Sequence, residues 1–430
     1  MRTDATRAYR AAVVAVLAVQ AGLLLANAWR YDWLRGYDAF ANDRYAEILA
    51  DEHRLPSPEE SGVWHTPPLW FGVAGVLRRG GEAAGWEHVQ RPGQLLAAAA
   101  GLAVCVFAFL LARALWPERR VLHVAALLLT AMTPALVRAS AMYHPETLAV
   151  ALGAAGLLVA VRSLRRGPNV GSALGAGALL GLASLTRAWA LPVLVAVVVA
   201  FGLDALQRRR AAPALVTLAV ALALLAPWLA NQQLVHGDAL AFNRDAPPES
   251  LLDRRPASFY LGPHTLRALE HPITPLARNE LVPHLYADWW GDWALTWDSP
   301  PPPPPAELLP PAVVARRAQQ MVVGLVPTVL ALAGVIALGL LAGARRSAAL
   351  AVLPFAALGV ALAYVLFAVR FPSTDGDTIK GTYLLMALPA AGVGAAFVLD
   401  TLRPRGRSWA VATLAVLAVL WAVQLPFLTV

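Results

Sequence analysis

Eleven apolar runs of roughly 16–25 residues punctuate this chain, and each is about the length that crosses 30 Å of hydrocarbon. They fall near residues 11–28, 94–115, 120–137, 146–161, 171–186, 188–206, 213–230, 321–343, 347–369, 381–400 and 408–428. Inside a bilayer each backbone N–H and C=O must bond within its own segment, so such runs form helices. Only 14% of the residues are charged, against about 25% for a soluble domain. The expected fold class is therefore an all-α membrane protein. It has about eleven transmembrane helices and two large extracytoplasmic loops containing short juxtamembrane helices. The first run follows a short basic tail and ends in NAWRYDW rather than in a small-residue cleavage site, so it reads as a retained span.

A net charge of +8 could suggest nucleic acid, but the arginines sit in short clusters between the apolar runs. These are Arg2/Arg7/Arg10, Arg113/Arg119/Arg120, Arg162/Arg165/Arg166, Arg208–Arg210, Arg345/Arg346 and Arg403/Arg405/Arg407. With eleven spans, every cluster falls on one face. The positive-inside rule then predicts a cytoplasmic N-terminus and an extracytoplasmic C-terminus, with no nucleic-acid partner. The whole chain, 1–430, reads as one transmembrane domain. Residues 29–92, 231–320 and 370–380 form its outer loops. Usage rich in alanine, arginine and proline suggests a high-GC bacterium, hence a multi-pass protein of the plasma membrane.

Cys105 is the only cysteine, which excludes a disulfide framework and a thiolate metal site. His236, His264, His271 and His284 show no HExxH or other paired metal spacing. The run Pro300–Pro305 reads as a semi-rigid polyproline II spacer. No internal repeat of the transporter kind is visible.

The first outer loop is dense in acids: Asp32, Asp38, Asp43, Glu47, Asp51, Glu52, Glu59 and Glu60. From Ala39 to Ala50 its pattern predicts a short amphipathic helix with Phe40, Ala41, Tyr45, Ile48 and Leu49 on the apolar face. Asp38 stands just before it. It is either the helix N-cap or a carboxylate at the membrane boundary that serves as general base. The run Leu69–Leu77 after Pro67-Pro68 is too short to span and predicts a helix lying on the membrane surface or dipping into it.

Lys380 is the only lysine in a chain that otherwise uses arginine. A compact ammonium suits a phosphate as a point charge; equally, such a lysine snorkels at an interface. Arg187, at a tight turn between two spans, faces a cavity or anchors the interface. The segment Tyr286–Trp297 (YADWWGDWALTW) supplies indole faces that stack on sugars or form an interfacial belt.

Taken in order, a first span, then YDxxxxxxY in an acidic loop, HTPPLWF, LGLASLTR, PWLANQQLVHGDALAFN and IKGTYLLMALPA resemble the GT-C superfamily of polytopic glycosyltransferases. The branch resembled holds the protein O-mannosyltransferases and the lipid A aminoarabinose transferase. The resemblance implies a polyprenyl-phosphate sugar donor and inversion at the anomeric carbon. The acceptor would be a hydroxyl of a glycan, lipid or protein on the outer face. It also implies an essential carboxylate at Asp38, with Asp43 sharing or replacing that role. The donor-phosphate cations it implies are Arg187 and Lys380, with Tyr383 as a hydrogen-bonder; Arg370 joins them by proximity. Tyr45, His65, Trp289, Trp290 and Asp292 are expected on the substrate side. No cofactor is required by this chemistry, and a divalent metal is compatible with it. The competing classes are a lipid or sugar transporter, a flippase, and a non-catalytic envelope-assembly scaffold.

Overall fold

The computed structural model describes residues 2–241, 255–270, 272–273, 280–294, 296–297, 310–371 and 379–430. The predicted Pro300–Pro305 spacer and His271 lie outside these residues. The helices in chain order are α1 (Arg2–Arg30), α2 (Ala39–Glu52), α3 (Leu69–Ala83), α4 (Arg91–Leu115), α5 (Arg120–Ala131) and α6 (Pro134–Ala141). Then come α7 (Glu146–Arg166), α8 (Val170–Thr186), α9 (Leu191–Arg208), α10 (Ala212–His236), α11 (Ala257–Leu261) and α12 (Leu281–Trp290). The chain closes with α13 (Pro311–Ala344), α14 (Ala348–Arg370), α15 (Leu388–Leu402) and α16 (Arg407–Gln424).

The all-α membrane class is thus met, with a slightly lower count than eleven. Among the described residues nine helices are long and apolar enough to cross a membrane, or ten if one bent pair is a single span. Two expected spans account for the difference. The run at 120–137 is not one helix, because α5 and α6 meet at a 58° bend. Pro134 opens α6 and has no N–H to continue the ladder, so the helix breaks there. The other, α8, is apolar but only 17 residues long.

Small residues set the packing. In hydrocarbon, helices associate through close van der Waals contact rather than through exclusion of water, so glycine at a crossing lets backbones approach. Gly177 and Gly181, one turn apart on α8, face α10: a Cβ on Gly177 would stand 2.6 Å from the Thr217 carbonyl oxygen, and one on Gly181 would stand 2.9 Å from Ala221 Cα. Gly177→Val should overpack this crossing and cost about 1–3 kcal/mol, read as a lower thermal midpoint in detergent. An unchanged midpoint would mean that α8 and α10 slide apart freely. Of the nine long helices α7 is the most enclosed, packing against α4, α8, α9 and α14.

Four chain segments distant in sequence converge at one end of the bundle. Tyr31 donates to the Thr296 carbonyl (2.9 Å) and stacks on Trp297 at 5.2 Å. Arg35 bonds the Trp297 carbonyl. Buried Gln94 of α4 donates to the carbonyls of Tyr31 (3.1 Å) and Ala141 (2.8 Å). The basic turns meet at the other end, where Arg165 bonds the Ala114 carbonyl, Arg119 pairs with Asp400 at 3.4 Å and Gln207 donates to the Arg346 carbonyl.

The two short predicted helices form. Helix α3 runs past the predicted Leu69–Leu77 to Ala83, and α2 buries Tyr45 and Ile48 as its periodicity requires. Phe40 is an exception: it is 74% exposed rather than packed.

Candidate functional site

At the convergent end lies a cavity of about 490 Å³. Its polar wall carries Asp38, His65, Thr66, Arg187, Arg370, Lys380 and Tyr383. Its apolar wall, from Trp189, Pro192, Ala363 and Phe367, leads to a second hollow of about 510 Å³. The two share Leu191, Pro192 and Ala363. The second hollow lies between α9 and α14 and is lined by side chains such as Val195, Val199, Phe355 and Leu362. α14 passes close to α9 there: a Cβ on Gly359 would meet the Pro192 carbonyl oxygen at 3.5 Å, an ordinary contact.

Asp38 occupies the position before α2, with a left-handed φ of 53° and no side-chain capping bond. Its carboxylate turns instead to the cavity and pairs with Lys380 Nζ at 3.3 Å. The acid side chain is 39% exposed and the lysine 11%. The left-handed φ, which Asp and Asn tolerate better than other residues, directs Asp38 away from the helix start. Burial pushes its carboxyl up, but the charges of Lys380 and Arg187, with the Lys380 hydrogen bond, outweigh this and hold it below its ordinary value. Burial would depress Lys380, yet Tyr383 and Asp38 together raise it. Lys380 also lies over the Tyr37 ring, 5.0 Å from its centroid.

Arg187 stands where α8 ends. Its Nε donates to Glu146 at 2.8 Å, and its guanidinium lies 5.8 Å from the centroid of Tyr383. Tyr383 is stacked on Trp189 at 4.9 Å. Glu146 opens α7, where the helix N-terminus favours an acid, and is wholly buried. His65 is brought down to about 3 by burial and by Arg187, against the opposing pull of Asp38, so it is a neutral imidazole. Burial, with Arg187 beside it, likewise keeps His144 neutral.

Six expected site residues are thus assembled in one cavity: Asp38, His65, Arg187, Arg370, Lys380 and Tyr383. The other five are elsewhere. Asp43 faces the opposite side of α2, where it accepts from Gln90 at 2.9 Å and lies 3.5 Å from Arg78. Burial raises its carboxyl despite those partners. Tyr45 is buried flat against Phe71, with centroids 4.0 Å apart, and donates to the Thr66 carbonyl. Trp290 packs against Gly324 and donates to Thr328, and Trp289 does not line the cavity. Asp292 folds back on its own chain, accepting from Thr296 N, Thr296 Oγ1 and Trp297 N. Asp43→Asn should therefore leave catalysis within a few-fold of wild type while lowering thermal stability; a collapse of turnover without unfolding would return Asp43 to the chemistry.

His144, Glu146 and Asp288 were not singled out from the sequence. Glu146 had a signal, since it is an acid at the very start of an apolar run. Of the two acids in YADWWGDW the expectation fell on Asp292, and no spacing signal pointed to Asp288. Of the four histidines in the later part of the chain, His236 lies tilted against Trp64 with centroids 4.2 Å apart, His264 bonds Glu280 and His284 stacks on Trp293. Among the described residues no three His, Cys, Asp or Glu side chains are grouped to hold a metal.

Fold and site define a class first: a polytopic helical membrane protein with one carboxylate set against cations at the mouth of an apolar groove. The comparisons then narrow it. The sequence profile of the family described as dolichyl-phosphate-mannose-protein mannosyltransferase matches residues 87–230. Among solved structures, the Archaeoglobus fulgidus oligosaccharyltransferase tethered to an acceptor peptide matches with TM-score 0.57 and 15% identity over 96% of this chain and 54% of that one. The same archaeal enzyme with an inhibitory peptide and a dolichol-phosphate matches with TM-score 0.54 and 13% identity, over 96% and 55%. ArnT from Cupriavidus metallidurans bound to undecaprenyl phosphate matches with TM-score 0.41 and 18% identity, over 90% and 77%. Among curated proteins no significant sequence relative was found. The chain spans about half the length of the archaeal enzyme. The expected resemblance to GT-C glycosyltransferases is thereby met as a resemblance: the family profile matches residues 87–230, and the helical fold is shared with the archaeal enzyme.

Proposed function

We propose that the chain is a membrane glycosyltransferase that moves a sugar from a polyprenyl-phosphate donor to an acceptor hydroxyl, with inversion. The observation that carries this reading is the single cavity in which Asp38 faces Lys380, Arg187 and Arg370 and which continues into the apolar hollow between α9 and α14. A donor of this type needs cations for its phosphate and an apolar groove for its chain. The dolichol-phosphate in complex with the archaeal oligosaccharyltransferase is a ligand of that chemistry.

In the reaction the acceptor oxygen attacks C1 of the sugar and the bond from C1 to the phosphate oxygen breaks. The electron pair leaves on the phosphate, where Lys380, Arg187 and Arg370 receive the charge, with Tyr383 beside them. The acceptor proton passes to Asp38. A phosphate is a competent leaving group, so no acid is needed on that side and the scheme requires no cofactor. The basic turns at the opposite end of the bundle favour a site that faces away from the cytoplasm, in the plasma membrane of a bacterium.

The test is deletion of the gene in its host, followed by mass-spectrometric profiling of envelope glycans, glycolipids and glycoproteins. The expected result is one glycan short of one sugar, restored by the wild-type gene and by no Asp38→Asn copy at equal membrane level. An unchanged profile in every fraction would overturn the reading.

A further inference from the structure

The carboxylate and the lysine that define the cavity come from chain segments more than 300 residues apart, and neither segment is a regular helix at that point. A third segment ties them. Asp288 of α12 is buried, and its two carboxylate oxygens are divided between the two sides. Oδ1 accepts from the Tyr37 hydroxyl at 2.8 Å, and Oδ2 accepts from the backbone N–H of Gly381. Tyr37 immediately precedes Asp38, and Gly381 immediately follows Lys380. Arg138 of α6 lies 3.7 Å from the same carboxylate and bonds the carbonyls of Asp288 and Gly291, fixing the end of α12. Gly381 has no room for a side chain, because a Cβ would stand 3.0 Å from Trp289 N and 3.1 Å from Asp288 Oδ2.

We propose that Asp288 is a positioning residue that sets the distance between Asp38 and Lys380 by gripping the residue next to each, and so prepares the phosphate end of the cavity before the donor arrives. The inference deepens the proposed function and rests on its assignment of Lys380 to the donor phosphate. Asp288 itself does not line the cavity. A charged acceptor is used because it bonds both donors more strongly than a neutral group would. Burial keeps water from competing for them. Asp288→Asn keeps the size but leaves one oxygen for two donors. Tyr37→Phe removes only the hydroxyl and keeps the ring beside Lys380.

Two measurements on the full-length protein in nanodiscs test this. Hydrogen exchange on the ligand-free protein reads the clamp itself. Faster exchange is expected in both the 36–42 and 379–387 segments for Asp288→Asn, and in the first for Tyr37→Phe. Binding of undecaprenyl phosphate reads the consequence. Each variant should bind about tenfold more weakly, the scale of one lost charge-assisted bond. On a Lys380→Ala background, Asp288→Asn should add little, since Asp288 acts through Lys380. Unchanged exchange in both segments overturns the proposal. So does full-strength binding by Asp288→Asn and Tyr37→Phe when Lys380→Ala weakens it, or a full further tenfold loss in the double variant. Failure of Lys380→Ala to weaken binding strikes the donor-phosphate assignment instead, and the exchange data then decide the clamp alone.

Discussion

Asp38→Asn should lower sugar transfer by about 10²–10⁴-fold, the usual contribution of a positioned general base, while leaving the protein folded. The two halves of this expectation have separate structural grounds. Catalysis suffers because, among the described residues, Asp38 is the only carboxylate lining the cavity. Stability does not, because the side chain caps nothing and asparagine tolerates the left-handed φ of 53°. The pair with Lys380 is open on the acid's side only, so its loss should cost about 1–2 kcal/mol, too little to unfold the protein. Asp38→Ala is a poorer test, since it adds backbone strain to the loss of the carboxylate. A variant with wild-type turnover would leave Asp38 no chemical role and favour a scaffold.

The same carboxylate predicts the pH profile. Its pKa in the folded protein lies below the ordinary 3.8. A depressed pKa means that the ion pair's contribution to stability is fully present above the unfolded value and is lost as pH falls through the folded one. For the free protein, kcat/KM should therefore hold level in mild acid and fall only below the ordinary aspartate range. A carboxylate of such low proton affinity is a weak base, and on the proposed function donor binding would correct this. An arriving phosphate would engage Lys380 and set a negative charge beside Asp38, and both effects would raise its pKa. The acid limb of kcat, which reports the bound complex, should lie at higher pH than that of kcat/KM. Coincident limbs would mean that Lys380 stays with Asp38 throughout.

Much of this architecture was legible from residue pattern alone, because a bilayer leaves few choices. Run length marked the spans, and the arginines marked which turns share an end. Two expected spans differ from a single long helix for local reasons: Pro134 bends a run that hydropathy alone reads as continuous, and α8 is apolar but only 17 residues long. The cavity was half legible. Lys380 stood out by composition, and Asp38 and Arg187 by their places at the ends of predicted helices. Asp43, five residues beyond Asp38, looked equivalent on paper, but 100° per residue leaves it about 140° around α2 from Asp38, against Arg78. Asp292 and Asp288 differ in the same way. The first follows the end of α12 and turns back to cap its own loop, whereas the second projects from the helix to join two distant segments. No spacing rule separates such neighbours, because the partners that distinguish them lie hundreds of residues away.

The pair of Glu146 and Arg187 should show the largest effect on stability. Glu146 is wholly buried and Arg187 nearly so, with 2.8 Å between them. Removing one partner from a buried pair leaves a charge without its counterion and typically costs about 3–5 kcal/mol. Glu146→Leu and Arg187→Met should each lower the thermal midpoint sharply, and each should abolish transfer. The double variant separates the two consequences. With both charges gone and the volume kept, most of the lost stability should return, since apolar residues of similar size replace a buried pair at little cost. Transfer should not return, because Arg187 also lines the cavity wall where the donor phosphate would lie. A double variant that regained both would make the pair a structural strut and leave the phosphate to Lys380 and Arg370. One that regained stability alone would show that Glu146 is there to hold a cation at the site, at a cost the fold would otherwise have avoided.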